Sequence, residues 1–163
     1  RVVPLRNTGA ALSPFNAFLL LQGLETLALR MERHCSNALA VAQWLQKHPK
    51  VVGVNYAGLT DSPYHATARR ICGGRASGIL SFELKGGIEA GMRFIDALQL
   101  IYRLVNIGDA KTLACHPAST THRQLNDEEL ARAGVPAGLV RLSIGIEDVD
   151  DILADIEQAL AQA

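Results

Sequence analysis

The sequence predicts an α+β fold: a sheet of about four short strands covered by helices, preceded by a long helical connector. Three observations carry this. Residues 13–48 hold two stretches of three- and four-residue apolar periodicity and no strand signal. After Pro49 the pattern changes to short apolar runs such as "VVGVNY" and "GILSFEL", bounded by Gly and polar residues. The resulting order, helix–helix–strand–strand–helix–strand–helix–strand–helix, is a small sheet with helical cover, divided into an arm (1–12), the connector (13–48) and a compact α/β unit (49–163).

The elements follow in order. Ser13 is a natural N-cap with Pro14 at the first helical position, and Gly23 is a plausible end for that helix. Thr26 can cap the next one, along which Leu27, Met31, Cys35, Ala38, Ala42 and Leu45 recur on one face until Pro49 stops it. Together the two helices would extend for roughly 50 Å at 1.5 Å per residue, longer than a small domain is wide, so part of them is expected to pack outside this chain. Strands are expected at Val51–Tyr56 and Gly78–Leu84, with a polar loop, Ala57–Ser77, between them. Ile88–Ile101 reads as an amphipathic helix, Arg103–Ile107 as a short strand, and Leu139–Gly145 as the last strand. Asn126 and Glu129 form a capping-box pattern. Glu147–Gln162 closes the chain as a helix, with Asp148, Asp150 and Asp151 in the first turn, where the helix dipole favours negative charge.

Composition narrows the function classes. With 163 residues, 48% of them hydrophobic and 20% charged, the chain is that of a globular domain with a real core. A formal net charge of zero speaks against nucleic acid as a partner. The longest apolar run, near Phe15–Leu21, is far short of the ~20 residues of a membrane span. Cys35, Cys72 and Cys115 are odd in number and form no CxxC, which points to a reducing compartment and away from disulfides or zinc. The chain begins with Arg1 rather than Met, and is expected to be a piece of a longer one.

"NIGDAKTLACHPASTTH" (residues 106–122) concentrates the reactive side chains. His116 and His122 match no zinc-ligand spacing and are expected to bond loop backbone. Adjacency of Cys115 to His116 is not the spatial pairing that makes a nucleophile. "GDAKT" and "ICGGRASG" lack the phosphate-loop spacing and read as turns. Arg141 differs: it alternates with Val140 and Leu142 on an apolar strand, where an unpaired guanidinium is costly. Two readings are open, an internal salt bridge or a bidentate grip on a ligand carboxylate, with the hydroxyl of Thr112 as a candidate second half of that cradle.

Four stretches, "GAALSPFNAFLLLQGLETLALRMERHCSNALAVAQWL", "GILSFELKGG", "NIGDAKTLACHPASTTH" and "VRLSIGIEDVDDILADIEQAL", closely resemble the C-terminal part of the Cys/Met-metabolism pyridoxal-phosphate (PLP) enzymes. "LTDSPYHATARR" and "THRQLNDEELARAGV" look like the O-acetylhomoserine sulfhydrylase branch; Ala57 departs from the proline usual in the family. The resemblance implies the small C-terminal domain of a fold-type I PLP enzyme. It implies γ-replacement on O-acetylhomoserine by sulfide or methanethiol, giving homocysteine or methionine. A cytoplasmic homodimer or homotetramer is the assembly implied. Arg141 matches the family arginine that clamps the substrate carboxylate, and Thr112 the hydroxyl residue before "HPAS". The cofactor lysine is expected upstream, in a large domain: the chain's four lysines, Lys47, Lys50, Lys85 and Lys111, lack its serine-x-threonine-lysine context, so the chain alone is expected to be inactive. A sister γ-lyase or γ-synthase is the enzymatic alternative; a stand-alone amino-acid-binding or dimerisation module is the other.

Overall fold

A computed structural model describes residues 2–9 and 11–163. The chain forms two compact units, one ending at Arg30 and one spanning Met31–Ala163. The first holds α1 (Val2–Thr8) and α2 (Pro14–Glu25). Within the stretch expected as an arm, α1 is a helix. Ser13 caps α2 as its sequence suggests, its hydroxyl accepting from the Asn16 N–H at 3.1 Å. Gly23 lies inside α2 and does not end it, because the helix runs on to Glu25. No residue of α2 is buried within this chain, and Phe18, Leu20, Leu21 and Leu24 are each more than half exposed.

The helix α3 (Leu27–Leu45) leads into the second unit. Its buried positions there, His34, Cys35, Asn37, Ala38, Val41, Ala42 and Leu45, repeat at three and four residues and form one stripe. The sheet has five strands: β1 (Val51–Asn55), β2 (Ile79–Leu84), β3 (Tyr102–Arg103), β4 (Leu113–Cys115) and β5 (Leu139–Ser143), in the order β1-β2-β5-β4-β3. All neighbours are antiparallel except β3 and β4.

Five strands, not the four expected, follow from β4. Its three residues are too few to show alternation, and it is a strand only because β5 and β3 pair with its two edges. Conversely β3 is shorter than expected, since residues 104–107 leave the sheet. A short helix, α4 (His65–Ile71), stands in what reads as a loop. The helix α5 (Gly87–Ala97) stops four residues before Ile101. The Asp155 carboxylate explains this: it accepts from the N–H groups of Gln99, Leu100 and Ile101 at 2.9, 3.0 and 2.8 Å, turning the backbone out of the helix. The capping box forms at α6 (Asp127–Arg132), and Asp148 caps α7 (Val149–Gln162).

One face of the sheet is the core. Leu80, Phe82 and Leu84 from β2 and Val140 and Leu142 from β5 meet Val41 and Leu45 of α3, Phe94 of α5, and Ile152 and Ile156 of α7, all nearly fully buried. Phe82 and Phe94 stack edge to face, 5.6 Å between centroids. Each such side chain contributes about 1.5–3 kcal/mol on burial. By the two-residue alternation of a strand, Ser81, Glu83 and Arg141 turn to the other face.

Candidate functional site

Arg141 sits at the centre of the sheet, opposite Ser81 on β2 and Cys115 on β4. Backbone pairing on both sides fixes its Cα, so the guanidinium projects from a rigid floor. It is poorly satisfied: Nη2 donates to the Asn106 carbonyl at 3.0 Å, while Nε is buried with no partner among the described residues. No carboxylate lies within 4.0 Å of it among the described residues. Of the two readings open in the sequence, the internal salt bridge is thus absent among those residues. A planar donor fork with unused N–H groups is suited to a carboxylate arriving from outside. Beside it, burial pushes the Cys115 thiol up and outweighs the opposing charge and hydrogen bond of Arg141, leaving a neutral thiol rather than a nucleophile.

Thr112 is fully buried, and the carboxylate it holds is internal. Its N–H donates to Glu147 Oε1 at 2.6 Å and its hydroxyl donates to Glu147 Oε2 at 2.8 Å, while that hydroxyl accepts from the Gly145 N–H at 2.9 Å. The only hydroxyl proton is spent, so none is left to donate to a ligand. The ladder also separates the two predicted site residues. Cys115 pairs with Arg141 and Leu113 with Ser143, so Thr112 shares the parity of Ala114 and Leu142, not that of Arg141.

The remaining candidates disperse. His116 is buried against Gly91, with Nε2 to the Ala137 carbonyl and Nδ1 to the Ser119 hydroxyl, both 2.8 Å, as expected of a loop histidine. His122 Nδ1 lies 2.8 Å from the Thr121 hydroxyl, and its backbone N–H donates to the Pro117 carbonyl at 2.9 Å. Among the described residues no three His, Cys, Asp or Glu side chains gather as a metal-ligand set. Nor does any lysine present itself as a cofactor anchor: Lys50 Nζ donates to the carbonyls of Leu160, Ala161 and Ala163, Lys111 lies over the Tyr102 ring, and Lys47 and Lys85 are exposed. These residues do not fit a Schiff-base cofactor site. A cleft of about 230 Å³ lies away from Arg141, lined by Cys35, Tyr56, His65, Arg69 and Arg75. Two residues of the site were missed in the sequence. Asn106 contributes a backbone carbonyl, which no side-chain pattern announces. Glu147 reads as part of the acidic start of the last helix, yet Asp148 is the cap there, which leaves Glu147 free to turn back.

The sequence profile of the Cys/Met metabolism PLP-dependent enzyme family matches residues 2–161. The chain belongs to the Cys/Met-metabolism PLP-dependent enzymes. Among the members of this family, an O-acetyl-L-homoserine sulfhydrylase of Leptospira meyeri is 57% identical over 161 residues, 98% of this chain and 36% of that protein. An L-methionine gamma-lyase of Pseudomonas putida is 52% identical over 153 residues, 94% of this chain and 38% of its own length. A Campylobacter jejuni crystal structure bearing the name O-acetylhomoserine (thiol)-lyase, with a pyridoxyl-lysine monophosphate, superposes with a TM-score of 0.86 at 50% identity over 96% of this chain and 37% of that one. The chain therefore spans little more than a third of the length of these relatives. Among its described residues, no helix is long and apolar enough to cross a membrane.

Proposed function

We propose that this chain supplies the substrate-carboxylate clamp of a PLP-dependent enzyme that replaces the acetoxy group of O-acetylhomoserine with sulfide, giving homocysteine. The observation that carries the reading is the under-satisfied Arg141 guanidinium on a rigid strand, with one hydrogen bond to the Asn106 carbonyl and a buried, unpartnered Nε. Its free N–H groups would take the α-carboxylate of the amino acid side by side and orient it. Thr112 acts one step behind, through Glu147. The family's PLP supplies the electron sink for the bond-breaking chemistry, and its lysine is proposed to lie in a large domain outside these residues, so that the chain alone is inactive. A soluble cytoplasmic homodimer or homotetramer is the proposed working form.

The identity of 52% with a methionine gamma-lyase keeps one second reading in play, elimination from methionine. The two separate in one assay on the full natural protein. Sulfide-dependent homocysteine formation from O-acetylhomoserine supports the transferase; release of ammonia and 2-oxobutanoate from methionine, without need of sulfide, supports the lyase. Under either, Arg141→Ala is expected to raise KM for the amino acid roughly 10- to 100-fold, the worth of hydrogen bonds to a charged group. An unchanged KM would sink the clamp.

A further inference from the structure

We propose that Glu147 is a positioning residue for the Arg141 clamp, acting through the backbone of the loop 104–112; the inference rests on the carboxylate-clamp reading above. Glu147 lies between β5 and α7, where Asp148 already caps the helix. Its carboxylate turns back and takes both donors of one residue, the N–H and the hydroxyl of Thr112, at 2.6 and 2.8 Å. Charge-assisted bonds of this length are among the stronger ones available to a protein. The approach requires glycine at 145, because a Cβ there would stand 2.2 Å from Glu147 Oε2 and 2.4 Å from the Ala110 carbonyl.

The base of this contact is itself held. Two side chains of α3, each about 2% exposed, grip the turn that carries Glu147. Asn37 Nδ2 donates to the carbonyls of Gly145 and Glu147 at 3.2 and 2.9 Å. His34 Nδ1 lies 2.6 Å from the Ile144 carbonyl, which can only accept, so that nitrogen carries the proton. Glu147 thus projects from a fixed point onto a segment that is otherwise exposed along most of its length.

That segment sets the clamp. Its free run from Leu104 to Lys111 is tethered to the sheet at few places: the Leu104 N–H to the Ala114 carbonyl, the Asn106 carbonyl to Arg141, the Gly108 N–H to the Ser143 hydroxyl, and the Ala110 carbonyl to the Ile146 N–H. The Asn106 carbonyl accepts from Nη2 of that guanidinium at 3.0 Å and helps to orient it. Its position depends on where the loop ends, and the loop ends at Thr112, in the grip of Glu147. No ion pair joins Glu147 to Arg141 within 4.0 Å, so Glu147 works by fixing main chain and leaves the guanidinium charge available to a ligand.

The test is steady-state kinetics on the full natural protein. Glu147→Gln puts an amide N–H where an acceptor is needed, and Thr112→Val removes the hydroxyl at nearly constant shape. Each is expected to raise KM for the amino acid about tenfold with kcat within about twofold, the signature of lost uniform binding. Thr112→Ser, which restores the donor, is expected to recover most of the loss. In an Arg141→Ala background, Glu147→Gln is expected to add nothing, because both act on one contact. If Glu147→Gln and Thr112→Val leave KM unchanged while Arg141→Ala raises it, or if the effects at 147 and 141 multiply, the positioning role is overturned and the clamp stands. If Arg141→Ala itself leaves KM unchanged, the clamp fails and this role with it. Should Glu147→Gln not fold, the Thr112→Val and Thr112→Ser pair decides the matter alone.

Discussion

Arg141 and Thr112 show how differently two residues on or beside neighbouring strands can be used. From residue type alone Arg141 leaves a salt bridge and a ligand carboxylate open, and the pairing with Thr112 comes from the family resemblance. Thr112 binds the chain's own Glu147, at 2.6 and 2.8 Å, whereas Arg141 is left with a buried, unpartnered Nε. Sequence cannot separate these outcomes, because the partner of Thr112 is 35 residues away and its identity depends on a turn held by α3. His116 supports a prediction at the same scale. Burial lowers its pKa, with the hydrogen bond to Ala137 opposing in part. The neutral ring is therefore favoured in the folded state, while the unfolded state takes up a proton near the ordinary value of about 6.5. Stability is fully present above that pH and is lost as pH falls through it toward the lower folded value. Urea unfolding at pH 7.5 and 5.5 should show a drop for the wild type. In His116→Gln the drop should shrink; an equal drop in both would show that another group dominates.

At the level of elements, capping was readable and tertiary termination was not. Ser13, the Asn126–Glu129 box and the acidic first turn of α7 all announce helix starts, because the partner of each cap is three or fewer residues away. The end of α5 is set by Asp155, 54 to 56 residues distant, so the amphipathic pattern overran it to Ile101. The N-cap Asp148 and the buried Asp155 of α7 should then differ in worth. Asp148→Ala removes an exposed N-cap bond to Asp150 and should cost about 1 kcal/mol. Asp155→Asn places a donor against three backbone N–H groups, in a side chain 5% exposed, and should cost roughly 2–3 kcal/mol. Urea midpoints measure both; equal losses would mean that the Gln99–Ile101 turn finds another acceptor.

For the molecule as a whole, the distribution of lysine is the telling feature. Lys50 is committed to three carbonyls at the end of α7, and Lys111 to the face of Tyr102. Neither is a desolvated amine of the kind that forms a Schiff base. Incubating the chain with PLP, reducing it with borohydride and weighing it intact is expected to leave the mass unchanged. A stoichiometric adduct on a single lysine would place the cofactor site within these residues and overturn the division of labour proposed above. The unburied apolar length of α2 belongs to this scale too: Phe18, Leu20, Leu21 and Leu24 are each more than half exposed.

What the sequence determined by itself is what local rules can encode: the α+β class, the helix starts, the buried stripe of α3, the alternation of β2 and β5, and through its motifs the family. What only the tertiary structure decided are features whose partners are far apart in the chain. These are the fifth strand, made by pairing rather than by pattern, the end of α5 at Asp155, and the assignment of Thr112 to Glu147 and of the free guanidinium to Arg141. The physical reason is the same in each case. A propensity or a cap is settled within one turn of backbone, whereas a hydrogen bond between distant residues exists only once packing has fixed both ends of it.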